Sequence, residues 1–293
     1  KKAIKTYQQA LEISSDNLQT IYALLKAYSM ICDWNQILYL SPYQQRVIAK
    51  YDPISILNLE DNLLLEFKRV SLFYIKNIKS NTINLFFREN RKKVRVGYLS
   101  NDFYCHSVMY LTARVIELHD KSNFEVYIYD FGIHEKDKLT KRIMKTADQY
   151  HMVKDLSNAE LVKKVREDEI DIAIDLMGYT RHHRASIFSN RVAPIQINMQ
   201  GYPGTTGNDS MDYILADDCL IPEGDEKYYT EKVIRMPGTS QAMDDTLIPS
   251  NKIYTREELG FTEDNFVFCC FAKPEKIQRK EFQIWMNLLK QRE

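Results

Sequence analysis

The chain lacks several features that define whole classes of protein. Lysine plus arginine and aspartate plus glutamate each number 40, so the formal net charge is zero. A protein that neutralises nucleic-acid phosphates over a broad face needs excess basic residues, so this balance argues against a nucleic-acid partner. No apolar run approaches the ~20 residues of a membrane-spanning helix, and nothing resembles a secretory signal peptide. We therefore expect a cytoplasmic protein that binds neither nucleic acid nor membrane.

Cysteine is scarce, and its spacing matches no zinc site. The five cysteines are Cys32, Cys105, Cys219, Cys269 and Cys270. We expect buried free thiols, as in a reducing cytoplasm. The adjacent His182 and His183 diverge by about 100° at a helix start, so they rarely ligate one ion. The sequence therefore predicts no metal and no cofactor.

The composition is that of a globular protein. Hydrophobic residues make up 44% of the chain and charged residues 27%, which excludes a disordered chain. The length suggests about two domains at roughly 150 residues each. The chain begins with Lys1 rather than Met and stops at Glu293 soon after an α/β pattern restarts. We expect it to be a portion of a longer protein.

Residues 1–90 are predicted to be helical. Apolar residues recur at helical spacing in segments 3–13, 17–32 and 60–79. The first segment is similar to the second helix of a tetratricopeptide repeat, with an ordinary amphipathic helix as the alternative.

Residues 91–250 alternate between strand and helix patterns. Strands are predicted at 94–99, 124–130, 170–176, 194–199, 212–216 and 232–236, and helices at 107–118, 136–147, 158–168 and 183–189. Ser157 and Glu160 form a candidate capping box at the start of the third of these helices. Such alternation predicts an α/β fold with a doubly wound parallel sheet, whose ligands bind at the carboxyl ends of the strands.

Residues 251–293 are predicted to begin a second α/β domain. A short helix at 255–260, a strand at 266–271 and a helix at 279–292 follow one another. Lys273, Lys276 and Lys280 come after the predicted strand, where they can neutralise a diphosphate or remain ordinary surface charges.

Three loops after predicted strands carry candidate chemistry. The nine glycines of the chain include three within residues 201–207, GYPGTTG, which suits either an anion-cradling turn or a tight connection without ligand. His106 suits proton transfer near neutral pH, or a structural hydrogen bond at a helix start. Arg181 and Arg184 suit phosphate or carboxylate binding, or a solvated helix start.

These segments together resemble the protein O-linked N-acetylglucosaminyltransferase family, including its bacterial SPINDLY-type members. The resemblance is carried by VRVGYLSNDFYCH at 94–106, DIAIDLMGYT at 171–180, APIQINMQGYPGTTG at 193–207 and MDYILAD at 211–217. It extends through Tyr229, Glu231 and Lys232, and it covers nearly the whole chain.

The resemblance implies a GT-B architecture, in which two Rossmann-like domains face a cleft and follow tetratricopeptide repeats. It implies inverting, metal-independent transfer of N-acetylglucosamine from UDP-GlcNAc, the donor substrate, to Ser or Thr of intracellular proteins. Two alternatives are fucose transfer from GDP-fucose and a non-catalytic tetratricopeptide interaction protein. Because the pattern stops at Glu293, we expect residues 1–293 alone to transfer little sugar.

The resemblance also implies roles for particular residues. His106 matches a catalytic-site histidine, while Lys276 matches a lysine that meets the donor diphosphate. Gly201, Tyr202 and Pro203 match a donor-binding loop, and Gly178, Tyr179 and Thr180 match an acceptor-side cleft loop. Departures from the family pattern at Gln200, Ser107 and residues 272–275 bear on the choice of donor.

Overall fold

The computed structural model describes residues 1–48, 50–57, 62–78, 91–264 and 266–291. They divide into two compact units, one made of Lys1–Asp61 with Pro249–Glu293 and the other of Asn62–Ile248. The domain limits at 90 and 250 that we expect from the sequence stay a prediction.

The first unit begins with a run of short helices. These are α1 (Lys2–Ile13), α2 (Leu18–Ser29), α3 (Trp34–Tyr39), α4 (Ser41–Ile48) and α5 (Pro53–Ile56). In α2 the buried residues are Ile21, Leu24, Leu25 and Tyr28, whose spacing of three and four places them on one face. Asn17 caps this helix by accepting a hydrogen bond from the Thr20 N–H at 3.1 Å. The predicted helical start of the chain is confirmed.

The second unit is built around a sheet of seven parallel strands. They are β1 (Val94–Ser100), β2 (Phe124–Asp130), β3 (Gln149–Met152), β4 (Ile172–Asp175), β5 (Ile195–Asn198), β6 (Tyr213–Ala216) and β7 (Lys232–Arg235). Their order is β3-β2-β1-β4-β5-β6-β7. Six of them match predicted strands. β3 does not match any predicted strand, because this edge strand has no fully buried residue and hence no apolar pattern.

Helices and loops cover both faces of the sheet. The helices are α6 (Leu63–Asn77), α7 (Ser107–Glu117), α8 (Lys138–Thr146), α9 (Asn158–Glu167) and α10 (Ser186–Ser189). One apolar cluster centres on Leu99, Tyr129 and Ala173, and the other on Tyr98, Ile128 and Ile174. Because neighbouring strand residues point to opposite faces, the two clusters are the two layers of a doubly wound core.

The helix predictions hold with small changes of length. The capping box at α9 is present, since the Glu160 N–H donates to Ser157 Oγ at 3.3 Å and the Ser157 N–H donates to Glu160 Oε2 at 2.7 Å. The predicted limits of α6 at 60 and 79 lie outside the described residues. None of the helices within the described ranges is long and apolar enough to cross a membrane.

Three predictions for the C-terminal segment and the cysteines are wrong. Residues 256–260 form a turn rather than a helix, and residues 266–271 form no strand, because no neighbouring strand in the described residues satisfies their backbone. The last helix, α11 (Arg279–Lys290), is present. The cysteines are free, but none is buried, and those at 219, 269 and 270 are exposed.

The strand order creates a switch point in the second unit. β1 lies between β2 and β4, so the chain leaves its carboxyl end toward one side and later returns on the other. In sheets of this kind, the crevice at such a point is the usual place for a ligand. The loops after β1 and β4 therefore define the candidate site.

Candidate functional site at the switch point of the sheet

His106 lies directly before α7, in the loop that follows β1. Its Nδ1 accepts a hydrogen bond from the Val108 N–H at 3.3 Å, which makes His106 the N-cap of the helix. The same Nδ1 lies 3.4 Å from Asp102 Oδ2, and the imidazole is 34% exposed. The residue therefore has both a capping contact and a free edge toward solvent.

The two neighbours of Nδ1 require opposite protonation states of that atom. When Nδ1 accepts from Val108, a neutral imidazole carries its proton on Nε2; when Nδ1 carries the proton, it donates to Asp102. The second arrangement leaves Nε2 unprotonated and able to accept a proton. Only the tautomer that donates to Asp102 leaves Nε2 able to accept a proton, whereas the hydrogen bond from Val108 belongs to the other tautomer.

Asp102 is a site residue that sequence reasoning did not single out, although it stands in the family-like stretch. Its side chain is only 8% exposed. Burial raises the pKa of this carboxyl, and the nearby His106, His134 and His182 together with Asn101 oppose that rise. A carboxylate with a perturbed pKa beside a histidine is typical of a functional site.

The two glycine-containing loops that we predicted as site elements pack against each other. Gly178 has φ +53°, and a Cβ there would lie 2.5 Å from Tyr202 Cβ. A Cβ on Gly201 would lie 2.0 Å from the carbonyl oxygen of Leu176. No side chain fits at either position, so both glycines let the backbones after β4 and β5 approach closely.

The tyrosines of these loops are core residues. Tyr179 and Tyr202 are 0% and 1% exposed, and their rings pack edge to face at 5.6 Å. The Tyr179 hydroxyl donates to the Thr206 carbonyl at 2.5 Å. Their side chains hold the loops in place, whereas Thr180 and Pro203 keep surface that a ligand can reach.

The buried side chain of Glu231 anchors the glycine-rich loop through hydrogen bonds. Its carboxylate accepts hydrogen bonds from the Thr205 hydroxyl at 2.7 Å, from the Thr206 N–H at 2.7 Å and from the Thr206 hydroxyl. Glu231 is only 3% exposed. Twenty-five residues separate it from the loop, and no local pattern marks that contact.

Asp175 ends β4 and is fully buried at the same edge of the sheet. Its Oδ1 accepts a hydrogen bond from the Met177 N–H at 2.8 Å. Burial raises the pKa of this carboxyl to about 6, against the opposing effect of the N–H groups of Met177 and Gly178. It is a second buried acidic group at the switch point, and its own charge changes at a pH of about 6.

The loop after β4 continues into the region of the predicted cationic residues. Arg184 is half-buried and donates to Asn158 Oδ1 at 2.7 Å and to the Leu156 carbonyl at 2.6 Å, whereas Arg181 is exposed. His183 Nδ1 accepts from the Ala185 N–H at 3.3 Å. Among the described residues no group of three His, Cys, Asp or Glu side chains is placed to hold a metal ion.

Lys276 lies in the first unit, at the end of a short 3-10 helix, Pro274–Lys276. Lys273, Lys276 and Lys280 are exposed. Within that unit, Trp34 Nε1 donates to the Ile277 carbonyl at 3.2 Å, and its ring lies 5.1 Å from that of Phe282. The helical segment and the segment that carries Lys276 are therefore packed into one body.

The structure brings most of the predicted site residues to one edge of one sheet. His106 follows β1, residues 178–180 follow β4 and residues 201–203 follow β5, and these three strands are neighbours. The arrangement is that of a Rossmann-like domain with a candidate site at its switch point.

Comparisons with known proteins identify the family. Residues 64–250 match the model of glycosyl transferase family 41. A probable UDP-N-acetylglucosamine–peptide N-acetylglucosaminyltransferase SEC of Arabidopsis thaliana is 33% identical over 205 residues, which cover 68% of this chain and 21% of the relative. A UDP-N-acetylglucosamine–peptide N-acetylglucosaminyltransferase of Caenorhabditis elegans is 33% identical over 152 residues, which cover 52% of this chain and 13% of the relative.

A solved structure supports the same assignment. A mutant of the Thermobaculum terrenum O-GlcNAc transferase matches 98% of this chain and 55% of its own, with a TM-score of 0.75 and 25% identity. The fold is thus the GT-B type of that enzyme, with a helical N-terminal segment. The chain belongs to glycosyl transferase family 41. It spans about a fifth of the length of the first curated relative, at 21%.

Proposed function

We propose that this protein is a protein O-glycosyltransferase that transfers N-acetylglucosamine from UDP-GlcNAc to Ser or Thr side chains. The observation that carries the proposal is the match to family 41 over residues 64–250, which contain the whole switch-point site. The relatives named above are described as peptide N-acetylglucosaminyltransferases. This favours UDP-GlcNAc over the GDP-fucose alternative.

In the proposed reaction the acceptor hydroxyl oxygen attacks the anomeric carbon of the donor sugar. The bond from that carbon to the diphosphate oxygen breaks, and UDP leaves with the electron pair. Attack on the face opposite the leaving group inverts the anomeric centre. The hydroxyl proton must move to a base as the new bond forms.

We assign His106 to the acceptor hydroxyl. When Asp102 holds the proton-bearing Nδ1, at 3.4 Å, Nε2 is free to accept the hydroxyl proton. Asp102 acts through the imidazole by fixing its tautomer and stabilising its charged form. This division of roles is analogous to a histidine that is oriented by a buried carboxylate.

We assign the loops at 178–180 and 201–203 to the walls of the sugar and acceptor site. Their glycines bring two backbones together, and backbone N–H groups in such turns bind polar ligands without side chains. Lys276 is proposed to meet the donor diphosphate, whose growing negative charge a lysine stabilises without a metal ion. The cytoplasmic location remains part of the proposal.

The test is sugar transfer by the full-length gene product. Labelled UDP-GlcNAc and labelled GDP-fucose are each incubated with the protein and a cell lysate as acceptor. We expect label from UDP-GlcNAc to appear on protein and to be released by β-elimination from Ser or Thr. Label from GDP-fucose alone would contradict the donor assignment. Label from neither would favour a protein that acts only through its helical segment.

A further inference from the structure

A cavity of about 500 Å³ opens at the carboxyl edge of the sheet in the second unit. Four strands contribute to its lining. Asn101 and Tyr104 follow β1, His134 follows β2, Lys154 follows β3, and His182 and Arg184 follow β4; the remaining lining is apolar. We call it the basic pocket. Its volume lies within the range of about 300–1,000 Å³ that is typical of ligand sites, and it can hold a peptide side chain with its flanking backbone.

The ionisable groups of Lys, Arg and His that line the basic pocket are all basic. Four of its lining side chains are Lys, Arg or His, and the described lining includes no carboxylate. Asp130 lies behind His134, with its Oδ2 at 3.2 Å from His134 Nε2, and is itself 0% exposed. Like charges held together in a concave site create a positive potential that attracts anions.

The position of the Arg184 guanidinium in the basic pocket is fixed by hydrogen bonds. Its guanidinium donates to the Asn158 amide oxygen at 2.7 Å and to the Leu156 and Val153 carbonyls at 2.6 and 3.3 Å. It also lies 5.7 Å from the centroid of the Phe131 ring. All of these partners are neutral, so they fix the orientation of the group and leave its charge uncompensated.

Arg142 of the same unit shows the contrast. Arg142 donates to Glu117 and Asp244, and these hydrogen bonds raise its pKa. Burial lowers the pKa of Arg184, with no opposing contribution from a carboxylate. A half-buried cation without a counter-ion is costly, and an anionic ligand in the pocket would remove that cost.

Lys154 and His182 complete the pocket with exposed side chains. Within the described ranges neither forms a hydrogen bond or ion pair, although His182 lies close enough to the buried Asp102 carboxyl to lower its pKa. His182 adopts φ +66°, a left-handed conformation that is uncommon for non-glycine residues. The turn after β4 thus directs the chain along the pocket at some conformational cost.

The basic pocket adjoins His106 through one shared aromatic ring. The Tyr104 ring lies 4.8 Å from that of His134 in the pocket and 5.4 Å from that of His106. An anion in the pocket is therefore within about three residues of a hydroxyl at His106, given a rise of about 3.3 Å per extended residue.

We infer that the basic pocket binds an acidic group, a carboxylate or a phosphate, carried by the acceptor polypeptide near the Ser or Thr that is modified. This inference rests on the proposed function and adds a substrate preference to it. The donor diphosphate has the same chemistry and is the other possible source of the anion. The peptide is favoured because the pocket adjoins His106, the residue assigned to the acceptor hydroxyl, through the Tyr104 ring.

The test measures peptide binding separately from sugar transfer. Fluorescein-labelled peptides with one Ser, flanked at neighbouring positions by Glu, phosphoserine or Gln, are titrated against the full-length protein by anisotropy. We expect the acidic peptides to bind about tenfold more tightly than the Gln peptide, as charge-assisted hydrogen bonds require. The preference should shrink as salt is raised.

Substitutions in the basic pocket test whether it is the source of the preference for acidic peptides. Lys154→Gln changes an exposed side chain without a described partner, so it reports on the pocket without a risk to folding. We expect it and Arg184→Gln to reduce the preference to about twofold or less. Lys145→Gln, on the exposed surface of α8, is the matched control and should retain it.

Three results would overturn the inference. They are equal binding of acidic and Gln peptides, a preference that survives both pocket variants, and a loss of UDP affinity in those variants with the peptide preference intact. The last would assign the pocket to the donor diphosphate. Failure of sugar transfer from every donor, with pocket-dependent acidic-peptide binding retained, would instead remove the proposed function alone.

Discussion

The carboxylate of Glu231 accepts the backbone N–H of Thr206 at 2.7 Å, and this contact ties the start of β7 to the glycine-rich loop after β5. The Thr205 hydroxyl donates to the same carboxylate, also at 2.7 Å. Because Glu231 is 3% exposed, water does not replace these hydrogen bonds when the carboxylate is lost. A single buried acidic residue therefore accepts three of the hydrogen bonds that hold the loop.

Glu231→Ala is expected to lower the free energy of unfolding by about 3 kcal/mol, since it leaves a buried N–H and two buried hydroxyls without an acceptor. Urea denaturation followed by circular dichroism measures this change. Glu231→Gln keeps one acceptor oxygen and should cost less than half as much. Glu167→Ala on the exposed end of α9 should stay within about 0.5 kcal/mol of the parent. Equal values for all three would refute the anchoring role.

Gly201→Ala is expected to destabilise the protein through close approach alone. The added Cβ would lie 2.0 Å from the Leu176 carbonyl oxygen, and backbone on both sides must move. We expect a loss of about 3 kcal/mol, in the upper range for overpacking. Gly224→Ala is the matched control, because its φ is +91° but no heavy atom lies within 4 Å of the added Cβ. Conformational strain alone should cost it about 1 kcal/mol.

A melting-temperature comparison of these two alanine variants checks the argument. If Gly224→Ala is as damaging as Gly201→Ala, then backbone conformation rather than contact with the loop after β4 explains the glycine at 201. The same comparison tests whether the two loops behave as one packed element.

Elements that have a local sequence pattern can be predicted from the sequence. Elements that depend on contacts with distant residues cannot. Runs such as residues 170–176 are apolar and β-branched, so β4 is predictable, and Ser157 with Glu160 marks the start of α9. The edge strand β3 is missed because half-exposed residues carry no apolar pattern. The run at 266–271 has the pattern of a strand, but a strand also needs a neighbour, which the described residues do not supply.

The same distinction applies to the candidate site. His106 and the loop at 201–207 are predictable because strand–loop–helix order places them at the carboxyl edge of the sheet. The pairings of Asp102 with His106 and of Glu231 with Thr206 depend on loop geometry. The second joins residues 25 positions apart. Such contacts are decided by tertiary packing, which periodicity does not encode.

Asp175 is expected to make stability depend on pH near neutrality. Its folded-state pKa of about 6 exceeds the ordinary value of 3.8, so the native state binds a proton that the unfolded state has released. Its contribution to stability is therefore lost as pH rises from about 4 to 6, by about 3 kcal/mol. Asp175→Asn should remove this component. The free energy of unfolding of the variant should therefore increase relative to that of the parent as pH rises from 4 to 7.

Urea denaturation of parent and variant at several pH values measures this difference. Asp155→Asn, at an exposed position, serves as the control and should give a constant difference. A constant difference for Asp175→Asn as well would show that the carboxyl titrates at its ordinary pKa.

Substitutions of His106 distinguish a structural role of this residue from a catalytic one. The residue caps α7 through a 3.3 Å hydrogen bond, and Asn is among the best N-cap residues. His106→Asn should therefore keep the stability of the parent, while His106→Ala should lose about 1 kcal/mol. If the imidazole handles the acceptor proton, both variants should lose at least about 100-fold in kcat.

Asp102→Asn completes this comparison. It keeps the shape of the buried side chain but removes the charge that holds the proton on Nδ1 of His106, 3.4 Å away. We expect kcat to fall with little change in KM, because the imidazole loses the partner that holds it in the tautomer able to accept the hydroxyl proton. Initial-rate kinetics of the full-length protein measure both constants. Transfer by His106→Asn at the rate of the parent would assign the histidine to helix capping and leave Asp102 as the remaining acid–base candidate beside α7.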